Sequence, residues 1–235
     1  MLTYPVRSEE EELMDDLSIS KDHITLVLRD IRQANHLLGG NAITIKAIKR
    51  HIQKHQPQQL TIMDVGCGDG DMLRAIARQL AQSSTTLNLI GVDINPDSIQ
   101  IARELTSTDD RIRYECVDIL DMNRTLATAD IILCTLTLHH FSDDQLIPLV
   151  KRMTTLARRT VIINDLHRSR LAAWLFVPFS HLFMKTKIAK QDGLTSIKSG
   201  FVKSDLESYA QRLGLQQSQI SWKWAFRYLW IIQTS

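Results

Sequence analysis

From residue 60 onward the sequence alternates short apolar runs with helical stretches, and this alternation constrains the fold more than any other feature. Apolar runs of strand length occupy residues 60–65, 87–93, 112–118, 129–136 and 160–165. Between these runs, apolar residues recur at helical spacing. Strands that alternate with helices in this way form a parallel sheet that is covered by helices on both faces. The sequence therefore predicts an α/β fold.

The end of the chain breaks the parallel pattern. After a helix predicted at residues 203–213, two further strands are expected at residues 216–225 and 228–233. Because only a few residues separate them, they should pair as a hairpin, with the last strand antiparallel to the rest. We therefore predict a Rossmann-like sheet of seven strands that is mostly parallel and ends in an antiparallel hairpin.

Two segments fall outside the alternation. Residues 1–57 read as helices, of which the first ends at two glycines, and we interpret the glutamates at residues 9–12 as a solvent-exposed helix start rather than as ligands. Residues 166–200 follow the fifth strand and are first apolar and aromatic, then basic. We therefore predict an N-terminal helical extension, a lid or cap, at residues 1–57, and a main domain at residues 58–235 that contains the insert 166–200.

The overall charge disfavours one class of partner. The 235 residues include 28 Lys and Arg against 26 Asp and Glu, a formal net charge of +2. A nucleic-acid surface requires a stronger basic excess than this. The longest apolar stretch, residues 171–184, is also too short to span a bilayer. We expect no nucleic acid and no transmembrane segment, and at most a weak contact with a membrane surface.

The cysteines indicate the compartment. Cys67, Cys116 and Cys134 lie far apart and form no cluster with histidine, so the sequence predicts neither a disulfide framework nor a metal site. The N-terminus does not resemble a signal peptide. We therefore expect a cytoplasmic protein without a bound metal, as a monomer or a homodimer.

A glycine-rich turn, DVGCGDG at residues 64–70, is the strongest motif. It lies directly after a strand and before a helix, where glycines let a ligand approach the backbone closely. Its G-x-G-x-G spacing differs from that of dinucleotide binders, which weakens an NAD-dependent reading. Asp64, Asp69 and Asp71 also crowd the turn, whereas a pyrophosphate requires a helix N-terminus without nearby negative charge. The turn therefore favours a ligand with a cation or an amino group.

Acidic residues also stand at the ends of the next two strands. Asp93 ends the second strand, and its carboxylate can accept hydrogen bonds from both hydroxyls of a ribose. Asp118 ends the third strand, where a carboxylate can accept a proton from an adenine amino group. Such sheets bind ligands at the carboxyl ends of their strands. Together with the glycine turn, these residues predict a nucleoside site.

With these motifs, residues 58–235 resemble class I S-adenosylmethionine-dependent methyltransferases. The glycine turn resembles the first motif of that family, Val92 and Asp93 its second, and residues 117–119 its third. Residues 131–141, IILCTLTLHHF, resemble the fourth motif in the form found in small-molecule methyltransferases of ubiquinone, menaquinone or polyketide synthesis. The resemblance implies S-adenosyl-L-methionine as cofactor. The cofactor-binding residues that it implies are Asp64, Gly66, Gly68, Gly70, Asp93, Ile94, Asp118, Ile119 and Thr135.

One departure from related families narrows the reaction. Methyltransferases that act on the amino groups of DNA bases or on glutamine side chains carry the motif [DN]-P-P-[YF] after the fourth strand. Residues 135–138 read TLTL instead and offer no Asn or Asp to a planar amine. The sequence therefore favours O- or C-methylation of a small molecule.

Two histidines are candidate general bases. A hydroxyl acceptor needs a base that titrates near neutral pH, and this is most often His. His139 follows the fourth strand and His167 the fifth. A structural role remains open for His139, which can pack against the cofactor loop. For His140, next to Phe141 and a helix cap at Ser142, the structural role is favoured.

The insert supplies candidate acceptor-binding residues: Trp174, Phe176, Phe179 and Phe183. They suit a lid over an apolar small molecule, although an oligomer contact, a helix at a membrane surface and additional core remain alternatives. We predict O-methylation of a phenol or enol of polyketide or quinone type. The alternatives are C-methylation of a quinone precursor and a catalytically inactive, cofactor-binding partner subunit.

Overall fold

The computed structural model describes residues 3–121 and 123–234 and is built around one sheet. Its strands are β1 (Gln59–Val65), β2 (Thr86–Asp93), β3 (Ile112–Cys116), β4 (Ala129–Thr135), β5 (Ala157–Leu166), β6 (Ser218–Lys223) and β7 (Arg227–Gln233). They lie in the order β3-β2-β1-β4-β5-β7-β6. The first five pair in parallel, and β7 is antiparallel to both β5 and β6. The predicted seven-stranded sheet with a terminal antiparallel hairpin is confirmed.

Helices cover both faces of this sheet. They are α1 (Lys21–Leu37), α2 (Gly40–His55), α3 (Asp71–Gln79), α4 (Pro96–Leu105), α5 (Asp143–Leu156), α6 (Arg170–Phe183), α7 (Lys187–Ser199) and α8 (Lys203–Arg212). Two short 3₁₀ turns, Leu13–Asp15 and Leu138–His140, complete the elements that bear on the site.

Alternating side chains of the strands build two separate apolar layers. On β1, Met63 and Val65 pack in the layer formed with α5 and α8, whereas Leu60 and Ile62 pack in the layer formed with α2, α3 and α4. All four are buried. This period of two, with both faces apolar, is the pattern that a central parallel strand requires.

The strand order reverses beside β1, which lies between β2 and β4. At such a switch point the loops after the two neighbouring strands run to opposite faces and leave a crevice at the carboxyl edge of the sheet. The glycine turn follows β1 at this edge, and Asp93 ends β2 there. The topology therefore places the predicted nucleoside residues around one crevice.

The two N-terminal helices have different surroundings. Ile45 and Ile48 of α2 belong to the main apolar layer. Helix α1 instead contacts α4, α6 and α7 and lies over the crevice. The insert forms α6 and α7, which pack closely because Gly193 on α7 has no side chain where the ring of Phe176 lies.

Candidate active site

One cavity of about 640 Å³ occupies the crevice. Small-molecule sites fall in the range of about 300–1,000 Å³. The glycine turn and the ends of β2 and β4 form its polar end, and α6, α7 and the β6–β7 turn form its apolar end. A single space therefore adjoins two chemically different walls.

The glycine turn leaves its backbone open toward the cavity. Gly66 and Gly68 have φ angles of +69° and +53°, in the left-handed region that favours glycine. A side chain at Gly66 would overlap Thr137. A methyl group added at Gly68 would have space, because its nearest neighbour would be an atom of Leu28 at 3.5 Å. Gly70 does not line the cavity. It precedes α3 with a φ of +77°, where a side chain would overlap Tyr114, so its role is in the backbone.

Asp64 lies buried at the end of β1 and lines the cavity. One of its carboxylate oxygens, Oδ1, is buried without a hydrogen-bond partner. Burial, followed by the charges of Asp93 and Asp71, raises its pKa to about 7. A buried acceptor without a donor is costly. The ammonium group of a bound amino acid would supply the missing donor and favour the charged carboxylate.

Asp93 binds the glycine turn as well as facing the cavity. Its Oδ2 accepts the N–H of Gly68 at 2.8 Å, and its Oδ1 accepts the N–H of Asn95 at 2.9 Å. Burial raises the pKa of Asp93, and these two donors partly oppose that effect. Removal of its carboxylate would therefore disturb the turn in addition to any ligand contact.

These residues fit S-adenosylmethionine. The orphaned oxygen of Asp64 matches an ammonium group, the open backbone at Gly68 admits a chain, and Asp93 retains lone pairs for ribose hydroxyls. The further predicted cofactor residues that line the cavity are Ile94, Asp118, Ile119 and Thr135.

A buried histidine with two carboxylate partners lines the same cavity. His139, in the turn after β4, has its Nδ1 at 2.6 Å from Oδ1 of Asp165 and its Nε2 at 3.2 Å from Oε1 of Glu12. Burial alone would lower the pKa of His139, but the two carboxylates outweigh it and raise the pKa to about 10. The two carboxylates therefore favour the imidazolium form of His139 at neutral pH.

The position of Glu12 corrects the sequence interpretation. It is 8% exposed rather than solvated, and residues 3–11 form no α-helix. Arg7 helps to hold this segment, since it donates to the backbone carbonyls of His139 and Ser199. Further along, the N–H groups of Leu13 and Met14 donate to Asp192 at 2.8 and 3.0 Å. Residues 7–14, which we term the strap, thus run beside the cavity and carry Glu12 into it.

Within residues 3–121 and 123–234, one group could hold a metal ion: Glu12, His139 and His140, with one ligand atom from each within 4.8 Å of the others. The sequence predicted no metal site. Both ring nitrogens of His139 already face carboxylates, and Nδ1 of His140 lies 2.7 Å from Oδ2 of Asp15. We interpret the cluster as one that shares protons, because protons satisfy these contacts.

His167 lies apart from His139 and does not line the cavity. Its Nδ1 accepts the indole N–H of Trp222 at 3.3 Å, and its ring contacts those of Phe226 and Tyr228. Burial, followed by the charge of Arg168, lowers its pKa. The hairpin therefore provides the surroundings of His167.

The predicted acceptor residues of the insert divide into two pairs. Phe176 and Phe179 line the cavity. Trp174 and Phe183 do not, and they are 71% and 40% exposed. The hairpin, for which the sequence analysis named no site residue, contributes further lining residues: Trp224, Ala225, Phe226 and Arg227.

Arg227 is a buried cation in this wall. It is 3% exposed, and its Nη2 donates to Oδ1 of Asn35 at 2.8 Å, while Nε and Nη1 have no partner. Burial lowers its pKa to about 10, although Asp165 opposes the shift. Its positive charge therefore persists at neutral pH beside an otherwise apolar wall.

Comparisons with known proteins agree with this geometry. Residues 62–160 match the family described as a methyltransferase domain. Among solved structures, the plantazolicin methyltransferase BpumL, in complex with a triazolic desmethylPZN analog and SAH, is 14% identical with a TM-score of 0.66, over 94% of this chain and 98% of that chain. The magnesium protoporphyrin IX methyltransferase ChlM from Synechocystis PCC 6803 with bound SAM is 14% identical with a TM-score of 0.57, over 99% and 100%. The CurJ carbon methyltransferase is 16% identical with a TM-score of 0.61, over 83% and 54%.

Identities this low show a shared fold. The matched domain supplies the activity, and the polar end of the cavity supplies groups that suit the cofactor. The chain therefore contains a methyltransferase domain, has the Rossmann-like fold of S-adenosylmethionine-dependent methyltransferases, and places groups that suit the cofactor at the carboxyl edge of the sheet.

Proposed function

We propose that the protein transfers the methyl group of S-adenosylmethionine to a hydroxyl group of an apolar small molecule, a phenol or enol of polyketide or quinone type. One observation carries this proposal. A single cavity joins the cofactor residues to an aromatic wall and is also lined by the buried pair Glu12 and His139.

The apolar end of the cavity supports the class of acceptor. Phe176, Phe179 and Phe226 offer large apolar area and no hydrogen-bond donors. A flat hydrophobic molecule gains most from such a wall. The proteins of similar fold named above include a porphyrin methyltransferase and a plantazolicin methyltransferase, which also favours an acceptor smaller than a protein or a nucleic acid.

When bound, the cofactor supplies an electrophilic methyl group on a sulfonium. The protein must align the acceptor oxygen with that group, keep water away and accept the hydroxyl proton. Alignment alone can contribute up to about 7–11 kcal/mol. The apolar wall excludes water, so the remaining task is the proton.

His139 can take that proton only after Glu12 has moved. With both ring nitrogens facing carboxylates, the imidazolium has no free lone pair. We place the acceptor hydroxyl where Glu12 now meets Nε2, and the proton at that contact is released to solvent when Glu12 is displaced. Asp165 keeps its hydrogen bond at Nδ1. Because His139 has then lost one of its two negative neighbours, its pKa falls. Its Nε2 then accepts the hydroxyl proton.

Arg227 adds electrostatic support. As the hydroxyl loses its proton, negative charge develops on the acceptor oxygen and its conjugated system. A buried, partly unpartnered guanidinium in the cavity wall stabilises such charge. A phenolate or enolate therefore suits this wall better than a neutral amine does.

C-methylation of the same class of acceptor is the second candidate. The CurJ carbon methyltransferase shares the fold, and an enolate can react at carbon as well as at oxygen. The position of the new methyl group in the product separates the two reactions.

The test is a methylation assay with isotopically labelled cofactor and a panel of phenols and enols. The matched variants are His139→Gln and His167→Gln, because His139 lines the cavity and His167 does not. We expect ether products from the wild type and from His167→Gln, and a large loss in His139→Gln.

Two results would contradict the proposal. One is an equal loss in the two histidine variants, and the other is methylation of RNA or peptides in place of the phenols. A parallel assay after treatment with a chelator should retain full activity. If the chelator abolished activity and added metal restored it, we would conclude that Glu12 and His139 bind a metal ion instead of a proton.

A further inference from the structure

An exposed apolar surface surrounds the apolar end of the cavity. Trp174 and Leu182 on α6 are 71% and 77% exposed, and Trp224 in the β6–β7 turn is 67% exposed. We term this surface the α6 face. Its large apolar members are Leu171, Trp174, Leu175, Val177, Leu182, Phe183, Trp222 and Trp224.

The two parts of the α6 face are adjacent. The ring of Phe226 lies 6.1 Å from that of Trp222 and 5.8 Å from that of Trp224, measured between centroids. Phe226 also packs against the small cluster that contains Ala172 and Ala173 of α6. The tip of the hairpin therefore packs beside α6.

The charged side chains of the two segments that carry this surface are all positive. Residues 166–191 and 216–235 contain no Asp and no Glu. Arg170 precedes the apolar residues of α6, Lys185 and Lys187 follow them in exposed positions, and Lys223 separates the two tryptophans of the turn. An apolar surface whose own charged side chains are cations is complementary to anionic lipid headgroups.

The cavity opens at this surface. Leu175 and Trp224 both line the cavity and are both exposed, at 40% and 67%. They therefore form part of its rim, with Phe179 inside. A molecule that leaves a lipid layer at the α6 face would meet the apolar wall without crossing water.

We infer that the α6 face docks onto the surface of an anionic bilayer, from which the apolar acceptor enters the cavity. Tryptophan is favoured at such an interface because its ring is apolar and its N–H is polar. The contact is peripheral, since no helix among residues 3–121 and 123–234 combines the length and apolar character that crossing a membrane requires. This inference rests on the proposed function and places the reaction at a membrane surface. It does not depend on which atom of the acceptor is methylated.

A second copy of the chain is a poorer occupant. A two-fold dimer places the same patch of both copies face to face. Lys185, Lys187 and Arg170 would then border a contact with their own equivalents and without acidic partners. Such like-charge contacts are unfavourable, whereas anionic headgroups neutralise them.

The test is co-sedimentation of the purified protein with phosphatidylcholine vesicles that contain or lack phosphatidylglycerol. At about 1 kcal/mol for each basic side chain near an anionic surface, Lys185→Gln combined with Lys187→Gln should weaken binding about 30-fold. Trp174→Ser combined with Leu182→Ser should weaken it about tenfold or more, because two exposed apolar groups lose their lipid contact. Leu37→Ser combined with Leu105→Ser is the control, because these leucines are exposed on other helices.

We expect binding that requires phosphatidylglycerol, falls with added salt and blue-shifts the tryptophan emission. Absence of binding, or equal binding by all variants, would overturn the inference. If the protein dimerised without lipid, and Trp174→Ser combined with Leu182→Ser abolished the dimer, the α6 face would be the contact with a second copy instead. With a water-soluble phenol, the lysine variant should methylate as fast as the wild type, so failure to dock is distinguishable from failure of the proposed reaction.

Discussion

Glu12 holds His139 in its protonated form, and Glu12→Gln tests this role. The substitution preserves the size of the side chain and removes its charge. Burial opposes a charged imidazole, so the raised pKa of His139 depends on its two carboxylate neighbours. Without the charge of Glu12, the imidazole should titrate at lower pH.

The size of the effect follows from the pKa. A rise from 6.5 to about 10 corresponds to about 5 kcal/mol in favour of the imidazolium. At pH 7 only about one His139 in a thousand is then neutral. One opposite charge within a few ångströms moves a pKa by about 1–3. Glu12→Gln should therefore raise the neutral fraction at pH 7 by about 10- to 500-fold.

The assay is the pH dependence of kcat/KM, which reports ionisations of the free enzyme. In the wild type we expect kcat/KM to rise with pH toward about 10, and in Glu12→Gln the rise should shift by about 1–3 pH units to lower pH. The variant His139→Gln shows the contribution of the acceptor's own ionisation. Glu11→Gln is the matched control, because Glu11 is exposed beside Glu12.

Identical pH profiles for Glu12→Gln and Glu11→Gln would refute this reasoning. They would mean that Glu12 does not set the protonation of His139. A shift to higher pH in Glu12→Gln would contradict the sign of the interaction.

Four further predictions concern stability, cofactor and acceptor. His139 has a higher pKa in the folded protein than its unfolded value of 6.5. Its contribution to stability is therefore complete below about pH 6.5 and is lost as the pH rises toward 10. Urea unfolding should show this decline in the wild type and a flatter dependence of stability on pH in His139→Gln. The affinity for S-adenosylhomocysteine should rise with pH through about 7 as Asp64 ionises, and calorimetry on Asp64→Asn should show weaker binding without that rise. Gly68→Val should abolish this binding. Gly39 also has a positive φ, but no atom lies within 4 Å of a methyl group added there. Gly39→Ala should therefore only lower the stability, by about 1 kcal/mol. Phe179→Ala should raise the KM for the acceptor with little change for the cofactor, and Phe183→Ala should change neither, because only Phe179 lines the cavity; equal effects would remove α6 from the acceptor site.

The sheet and the cofactor end of the cavity were predictable because their signals are local. The glycine turn, Asp93 and Asp118 each follow a strand that an apolar run reveals, and parallel strands bring their carboxyl ends to one edge. The short link between β6 and β7 likewise fixed the hairpin. In each case a few neighbouring residues carry the information.

The acceptor end was less predictable because it depends on distant parts of the chain. Glu12 meets a histidine that lies 127 positions later, and no periodicity distinguishes it from Glu9, Glu10 and Glu11. His167 follows its strand as expected, but the hairpin partner Trp222 provides its contact. Neither pairing has a local signal.

The division within α6 could have been found from helical geometry. With 3.6 residues per turn, Trp174 points about 200° away from Phe176, whereas Phe179 shares the side of Phe176. One of these two sides of the helix must face the protein. It is the side of Phe176 and Phe179, which line the cavity. Phe183 also lies near this side, but it is the last residue of the helix and extends past the cavity.

Transfer of a labelled methyl group to a phenol tests the central claim most directly. The wild-type protein would be incubated with S-adenosylmethionine that carries a ¹³C methyl group and with an alkyl-substituted phenol, and the product would be read by carbon NMR. We expect one new signal in the range of an aryl methyl ether, absent in His139→Gln and present in His167→Gln. Label on carbon or nitrogen, or no transfer to any phenol or enol by a protein that binds S-adenosylhomocysteine, would contradict it.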